Sequence, residues 1–451
     1  MGLDDTITAI STPIGIGGVS VIRLSGKDSI TIARRIFSDS FSKAASHTVH
    51  YQTLVDPKTQ EKIDSVVVTV FKEPSSYTGL DTIEISCHGG ILNSKKILEI
   101  LIEQGARLAE PGEFTKLAFL NGKIDLAQVE GIADLIHAKT EAARRSSAAQ
   151  FMGNLSNEIK LLRSELISLC SLLEIDLDFA EENLLDVDRN SVVVKISTVE
   201  DRIEALLKTY NFGHVLREGA RISIVGKPNV GKSSLLNVLL GRNRAIVSET
   251  PGTTRDFIEE SIDINGIPFS IVDTAGIRHS KDDIENLGMG FSYELLNNSD
   301  LIIVLLDSSS SRDEQDRKVI ELVKRVKAHV LFVANKADLK NQHDFLLENK
   351  PTYVSAKTGF GINELKDEIY AVFSSTASYD SPVISRLRHK VALEKSLESL
   401  SLAKKTIEQK YSFEFAAVDV KNAISHLGEI VGEITNDDVL NNIFANFCIG
   451  K

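Results

Sequence analysis

One octapeptide constrains this chain more than any other stretch: Gly226-Lys227-Pro228-Asn229-Val230-Gly231-Lys232-Ser233. It reads G-x-x-x-x-G-K-S. The apolar run Ile222-Ser223-Ile224-Val225 precedes it, and Ser234 to Leu240 follows with helical spacing and no breaker. A strand, a tight glycine turn and a helix are the context this pattern needs. The glycines let successive backbone N–H groups point inward at phosphate oxygens, and the helix adds its positive N-terminal end. Val230, Gly231, Lys232, Ser233 and Ser234 are therefore candidate nucleotide-binding residues. Lys232 is placed to reach the β- and γ-phosphates, and Ser233 to put a hydroxyl on Mg²⁺.

Four more elements follow in order. Gly252-Thr253-Thr254-Arg255-Asp256, after Ser248-Glu249-Thr250-Pro251, offers Thr254 as a second hydroxyl for Mg²⁺. Asp273-Thr274-Ala275-Gly276 ends the strand-like run Phe269–Val272; Asp273 suits a role behind the metal, and the Gly276 amide a contact to the γ-phosphate that hydrolysis would release. Between them, Asn265-Gly266 predicts a tight hairpin. Asn335-Lys336-Ala337-Asp338 follows the run Val330–Val333. A carboxylate at Asp338 can accept from guanine N1–H and the N2 amine, which adenine cannot supply, so the motif selects GTP over ATP. Ser355-Ala356-Lys357 completes the set, supporting the guanine O6 through backbone N–H groups.

The usual water-orienting Gln after D-x-x-G is missing: Gly276 is followed by Ile277, and no Gln occurs until Gln315. The acidic residues of the stretch Arg278 to Glu285 are the candidates for positioning water. Asn229 has two readings. It is a turn former, or its side-chain carbonyl joins backbone carbonyls of the 248–253 loop around a monovalent cation that takes the place of an arginine finger.

At 451 residues the chain should hold two to four domains, and 42% hydrophobic with 25% charged residues is ordinary for a globular protein. No 18-residue apolar run and no signal-peptide pattern is evident, so neither a membrane span nor export is expected. Three cysteines, Cys87, Cys170 and Cys448, without metal-type spacing suit a reducing cytosol. A net charge of −12 argues against a general electrostatic grip on nucleic acid, though not against a local RNA-binding patch.

The region around the nucleotide motifs, 218–376, reads as one α/β domain. Residues 1–120 read as mixed α/β: Val19–Leu24, Val66–Phe71 and Thr82–Ser86 are strand-like, and Leu92–Gln104 is a helix with Ile97, Leu98, Leu101 and Ile102 on its apolar face. Glycines at 15, 17–18 and 89–90 flank these strands beside Arg23, Glu84, His88 and, further on, Lys123. Such a set suits plain turns and surface salt bridges first, and an anionic heterocycle second.

Residues 121–217 and 377–451 are helical. The first helices show Leu126, Val129, Ile132, Ala133 and Ile136, then Leu161, Leu162, Leu166, Leu169, Leu172 and Leu173, then Ile196, Val199, Ile203 and Leu206. The last region shows Val391, Leu393, Leu397, Leu400 and Leu402, a stretch Asp419–Ile430, and a terminal helix Asp437–Phe447 with Val439, Leu440, Ile443, Phe444 and Phe447 on one face. The basic cluster Ser385-Arg386-Leu387-Arg388-His389-Lys390 reads as a solvated helix start or an RNA contact. Cys448-Ile449-Gly450-Lys451 fails the prenylation pattern, leaving a mobile tail thiol or a buried hydrophobic one.

Taken together, these motifs resemble the bacterial tRNA modification GTPases of the MnmE (TrmE) family along essentially the whole chain. The resemblance is carried by the nucleotide motifs and by Asp5-Thr6-Ile7, Arg23-Leu24-Ser25-Gly26, Ser76-Tyr77-Thr78-Gly79, Glu84 to Gly90, Pro111-Gly112-Glu113-Phe114, Ala118 to Gln128 and the Cys-Ile-Gly-Lys end. It implies a multidomain fold: an α/β N-terminal folate-binding domain like glycine-cleavage T-proteins, an all-α helical domain built from both flanks, and an inserted Ras-like α/β P-loop G domain. It also implies a homodimer that works in the cytoplasm with the flavoprotein MnmG. Together they install a carboxymethylaminomethyl or aminomethyl group on C5 of the wobble uridine of certain tRNAs, using a 5-formyl- or methylene-tetrahydrofolate carbon.

By the same resemblance, potassium is held by the Asn229 side chain and backbone oxygens of Ser248, Thr250 and Thr253. Mg²⁺ is held by Ser233 and Thr254. Glu285 orients water, Cys448 has a catalytic role, and Arg23, Glu84, Lys123 and Lys451 contact folate. Two other functions fit parts of the pattern: a ribosome-assembly GTPase of the Era or Der kind, which would carry a basic RNA module or a second G domain, and a folate-dependent transferase that GTP only regulates.

Overall fold

The computed structural model describes residues 5–37, 44–178, 188–241, 259–272, 296–339, 350–374, 381–434, 437–445 and 447–451. Its contacts divide the chain into two units, Met1–Ala133 with Leu427–Lys451, and Asp134–His426.

The first unit is built on strands β1 (Ile7–Ile10), β2 (Val19–Ser25), β3 (Thr48–Val55), β4 (Lys62–Phe71), β5 (Thr82–His88) and β6 (Arg107–Leu108), with helices α1 (Ser29–Ile36), α2 (Ile91–Glu103), α3 (Glu113–Leu120) and the start of α4 (Leu126–His137). The strands form one sheet in the order β3-β4-β5-β2-β1-β6, antiparallel except where β1 meets β6. Alternation decides its faces. Ile83, Ile85 and Cys87 of β5 turn inward with Ile22 and Leu24 of β2, under Ile32 and Ile36 of α1 and Ile97, Ile100 and Leu101 of α2. Glu84 and Arg23 turn to the other face, paired in register. The apolar face of α2 is rotated from the expected one: Ile100 is buried, whereas Ile102 is 39% exposed.

The second unit continues with α5 (Glu141–Phe151), α6 (Asn154–Asp178), α7 (Arg189–Lys208) and α8 (Tyr210–Glu218). It then enters β7 (Ala220–Val225), α9 (Lys232–Leu240), β8 (Glu259–Ile264), β9 (Ile267–Val272), β10 (Leu301–Asp307), α10 (Glu314–Val323), β11 (His329–Asn335), β12 (Thr352–Tyr353) and α11 (Ile362–Phe373), and ends in α12 (Leu387–Glu408) and α13 (Phe413–Val431). The second sheet has the order β12-β11-β10-β7-β9-β8 and is parallel except for the β8–β9 hairpin. That hairpin turns on Asn265 and Gly266 at φ 52° and 90°, the mirror-image turn the pair predicts. β10 is apolar along its length because helices cover both sides: Leu301, Ile303 and Leu305 face α9 and α11, while Ile302, Val304 and Leu306 face α10.

The long helices bury apolar residues at alternating spacings of four and three, as bundle helices do. In α6 these are Leu155, Ile159, Leu162, Leu166, Leu169 and Leu173, and in α7 Val192, Ile196, Val199, Ile203 and Leu206. Leu161, Val391 and Leu402, expected inside, are exposed; Ala392, Ser396 and Ala403 line α12 instead. Two members of the basic cluster are held by the fold. His389 is fully buried, and Arg386 donates to Asp134 Oδ1 at 2.7 Å, an oxygen that Arg217 also reaches at 3.1 Å.

The chain returns to the first unit through the end of α13 and closes with α14 (Asp437–Ala445). Phe444 and Phe447 are buried there, and Phe444 lies 6.5 Å from the Phe119 ring of α3. The terminal residues are anchored: Ser11 Oγ donates to the Gly450 carbonyl at 3.0 Å. No described helix is long and apolar enough to cross a membrane.

Candidate nucleotide site

β7 delivers the loop to the C-terminal edge of the parallel sheet, and α9 leaves from it at Lys232. The turn needs left-handed backbone at two places. Gly231 sits at φ 101°, where a Cβ would overlap the Asn335 amide, and Asn229 at φ 62° is the non-glycine type that tolerates this region best. Asn229 thus does form a turn, and its side chain is exposed at the tip of the loop. Lys232 Nζ donates to the carbonyls of Gly226 at 2.8 Å and Lys227 at 3.0 Å. Ser233 and Ser234 are exposed in the first turn of α9.

The residues expected to recognise the base gather at the end of β11. Asn335 is buried, and both its polar atoms are spent on the protein: Nδ2 donates to the Val230 carbonyl at 2.9 Å and Oδ1 accepts from Ala356 N–H at 3.0 Å. It therefore staples the phosphate loop to the 355–357 turn, and the N–H groups of Ala356 and Ser355, expected on the guanine O6, are taken up by Asn335 Oδ1 and the Phe360 carbonyl. Lys336, at φ 66°, pairs with Asp307 Oδ2 at 2.6 Å. Burial acts to raise the Asp307 pKa, but hydrogen bonds from Lys336 and Ser309 outweigh it and hold the carboxyl below its ordinary range. Asp338 is exposed and accepts from Ser355 Oγ at 2.7 Å. That hydroxyl is the main reason its carboxyl is held low, with Lys357 assisting against desolvation. A fixed, ionised carboxylate open to solvent on one side is what an N1–H and amine pair requires. Nothing in the sequence marked Asp307, since its partner is 29 residues away. Ser248, Thr250, Thr253, Thr254, Asp273, Thr274, Ala275, Gly276 and Glu285 lie outside the described residues.

In the first unit, Arg23 reaches Glu84 Oε1 with Nη2 at 2.8 Å and Nε at 3.0 Å. Its guanidinium carbon lies 5.4 Å from the centroids of both Tyr77 and Phe114. Lys451 is half-buried close by; burial first, and the Arg23 charge second, hold its amine below the ordinary lysine value. Lys123 donates to the Pro74 carbonyl at 2.9 Å, in the loop that carries Tyr77. Cys448 is exposed, so the buried-thiol reading fails for it, while Cys87 and Cys170 are buried. Arg23, Glu84 and Lys451 thus form one cluster with aromatic walls.

The parallel sheet, the glycine loop and the stapled guanine motif define a Ras-like P-loop G domain within a larger multidomain chain. The family model described as "MnmE helical domain" matches residues 126–448, and that described as "GTP-binding protein TrmE N-terminus" matches residues 6–123. Relatives called tRNA modification GTPase MnmE include those of Alkaliphilus oremlandii, 43% identical over 463 residues, and Carboxydothermus hydrogenoformans, 41% identical over 469; each match covers 100% of both chains. Among solved structures, the G domain of the T. maritima FeoB iron transporter is 25% identical and covers 34% of this chain and 99% of its own, with a TM-score of 0.27. The chain belongs to the MnmE (TrmE) family of tRNA modification GTPases.

Proposed function

We propose that this chain is a potassium-dependent GTPase that works as a cytoplasmic homodimer with the flavoprotein MnmG. Together they add an aminomethyl-type group to C5 of the wobble uridine of certain tRNAs, with the carbon taken from a tetrahydrofolate. The observation that carries the nucleotide part is Asp338, fixed by Ser355 next to a phosphate loop that Asn335 locks in place.

The loop suits a triphosphate. Where Gly226 and Gly231 stand, a Cβ would fill the space against Leu305 and Asn335, and the exposed Asn229 carbonyl is available at the loop tip. In this reading Asn229, with backbone oxygens of Ser248, Thr250 and Thr253, would hold K⁺, which supplies positive charge beside the phosphates. Ser233 and Thr254 would hold Mg²⁺, with Asp273 behind it. Lys232 would leave its two carbonyls for the β- and γ-phosphates. Glu285 would orient the attacking water in place of the absent Gln. Val230, Ser234, Thr274, Ala275, Gly276 and Lys336 complete the nucleotide contacts in this assignment.

The Arg23–Glu84 pair, the half-buried Lys451 amine and the Tyr77 and Phe114 rings suit a heteroaromatic ligand bearing carboxylates, and Lys123 supplies a further cation. These residues would hold the folate, which brings the one-carbon unit. The exposed thiol of Cys448 is the remaining candidate for chemistry there. Cells lacking this chain should lose the C5 modification of wobble uridine, regain it with the wild-type gene and not with Lys232→Ala. Full modification in the deleted strain would contradict the assignment.

A further inference from the structure

Lys227, second in the phosphate loop, connects it to the start of helix α10. Its ammonium lies 2.9 Å from Asp313 Oδ2 and 2.9 Å from Asp316 Oδ2, with only 13% of the side chain exposed and 4% of that of Asp316. The cap of helix α10 forms without it. Asp313 already caps the helix by accepting from Gln315 N–H and Asp316 N–H, and Asp316 answers by accepting from Asp313 N–H. A cation at a helix N-terminus stands at the unfavourable end of the dipole. The pair therefore adds nothing to the cap itself; what it does is tie the loop to the helix. The buried Asp316 carboxylate, whose Oδ1 finds no hydrogen-bond partner among the described residues, in turn depends on the ammonium.

The pair restrains a specific piece of backbone. The carbonyls of Gly226 and Lys227 are those on which Lys232 rests. At the other end of the site Lys336 is paired with Asp307. The segment Asp307–Asp316 thus takes one lysine from the phosphate loop and one from the guanine motif.

We propose that Lys227 is a positioning residue for nucleotide binding: its clamp on Asp313 and Asp316 fixes the first peptides of the phosphate loop against the segment that also holds Lys336. It acts through the loop and not by touching the nucleotide. This rests on the GTP-binding reading of the site. A prearranged loop serves ground state and transition state alike, so its loss raises KM and leaves kcat in place.

The test uses the full chain, with fluorescent GDP and a non-hydrolysable GTP analogue titrated well below the melting temperature, and steady-state hydrolysis alongside. Lys227→Met and Asp316→Asn should each weaken both nucleotides about tenfold, as expected for losing a charged hydrogen bond. KM should rise with kcat retained. Lys227→Arg should recover most of the affinity, and the double variant should bind no more weakly than the weaker single one. If Asp316→Asn does not fold, the Met and Arg variants at 227, which leave the helix cap intact, decide. Wild-type affinity in Lys227→Met, losses that simply add, or a fall in kcat at constant KM would overturn the clamp. A wild-type chain that binds no guanine nucleotide would overturn the GTPase reading, and this inference with it.

Discussion

The Asn335 side-chain amide donates to the Val230 carbonyl at 2.9 Å, joining the base end of the nucleotide site to its phosphate loop inside the protein. Its oxygen accepts from Ala356 N–H, so a single buried side chain sets the distance between three motifs. Asn335→Ala leaves a buried carbonyl and a buried N–H unpaired, at about 1–3 kcal/mol each. Calorimetry and GDP titration should show a lower melting temperature together with weaker binding. Unchanged GDP affinity would show that the staple does not shape the site.

Asp338 should decide the base. Asp338→Asn replaces an acceptor by an amide that matches the C2 carbonyl of xanthine better than the amine of guanine. GTP affinity should fall by about a hundredfold, roughly the 2–3 kcal/mol of hydrogen bonds to a charged acceptor, and XTP should become the preferred triphosphate. Competition binding with the two nucleotides measures this directly.

The C-terminus supplies a way to separate the two halves of the proposed function. Gly450 has φ 98°, and a Cβ there would overlap the backbone of Ile10 and Ser11. Gly450→Ala should displace Lys451 from Arg23, at a cost of about 1–3 kcal/mol for the strained backbone. Tetrahydrofolate binding should be lost while GTP hydrolysis is kept. Loss of both, or of neither, would contradict the placement of Lys451 at a folate site.

Lys451 also predicts a pH dependence. Burial and the Arg23 charge hold its folded pKa below the ordinary 10.5, so the folded chain releases this proton before the unfolded chain does. In the window between the two values the unfolded state binds more protons, and stability rises with pH. Urea denaturation across the alkaline range should show this rise in the wild type and a flatter profile in Lys451→Met. Binding of an anionic ligand at Lys451 should move the opposite way, weakening as the amine loses its charge.

Much of the G domain was legible because backbone geometry dictates residue type there. Gly231 and Asn229 occupy left-handed positions, and Asn265-Gly266 forms the turn that this dipeptide favours. Long-range partners were not legible. His389 and Arg386 looked like a solvated basic run, but Asp134, 252 residues earlier, lies against Arg386, and the fold buries His389 completely. Local periodicity likewise marked Ile102 and Leu161 as apolar without deciding which edge of each helix meets the core. The clamp on Lys227 depends on a residue 89 positions away, which no local pattern connects to the loop.

The most direct test of the proposed mechanism is GTP hydrolysis by the purified chain in K⁺ and in Na⁺ at matched ionic strength, for wild type, Asn229→Ala and Glu285→Ala. The expected result is turnover stimulated by K⁺ in the wild type, stimulation abolished in Asn229→Ala, and hydrolysis lost in Glu285→Ala with GTP binding intact. Equal rates in the two salts, or full activity in Glu285→Ala, would contradict it.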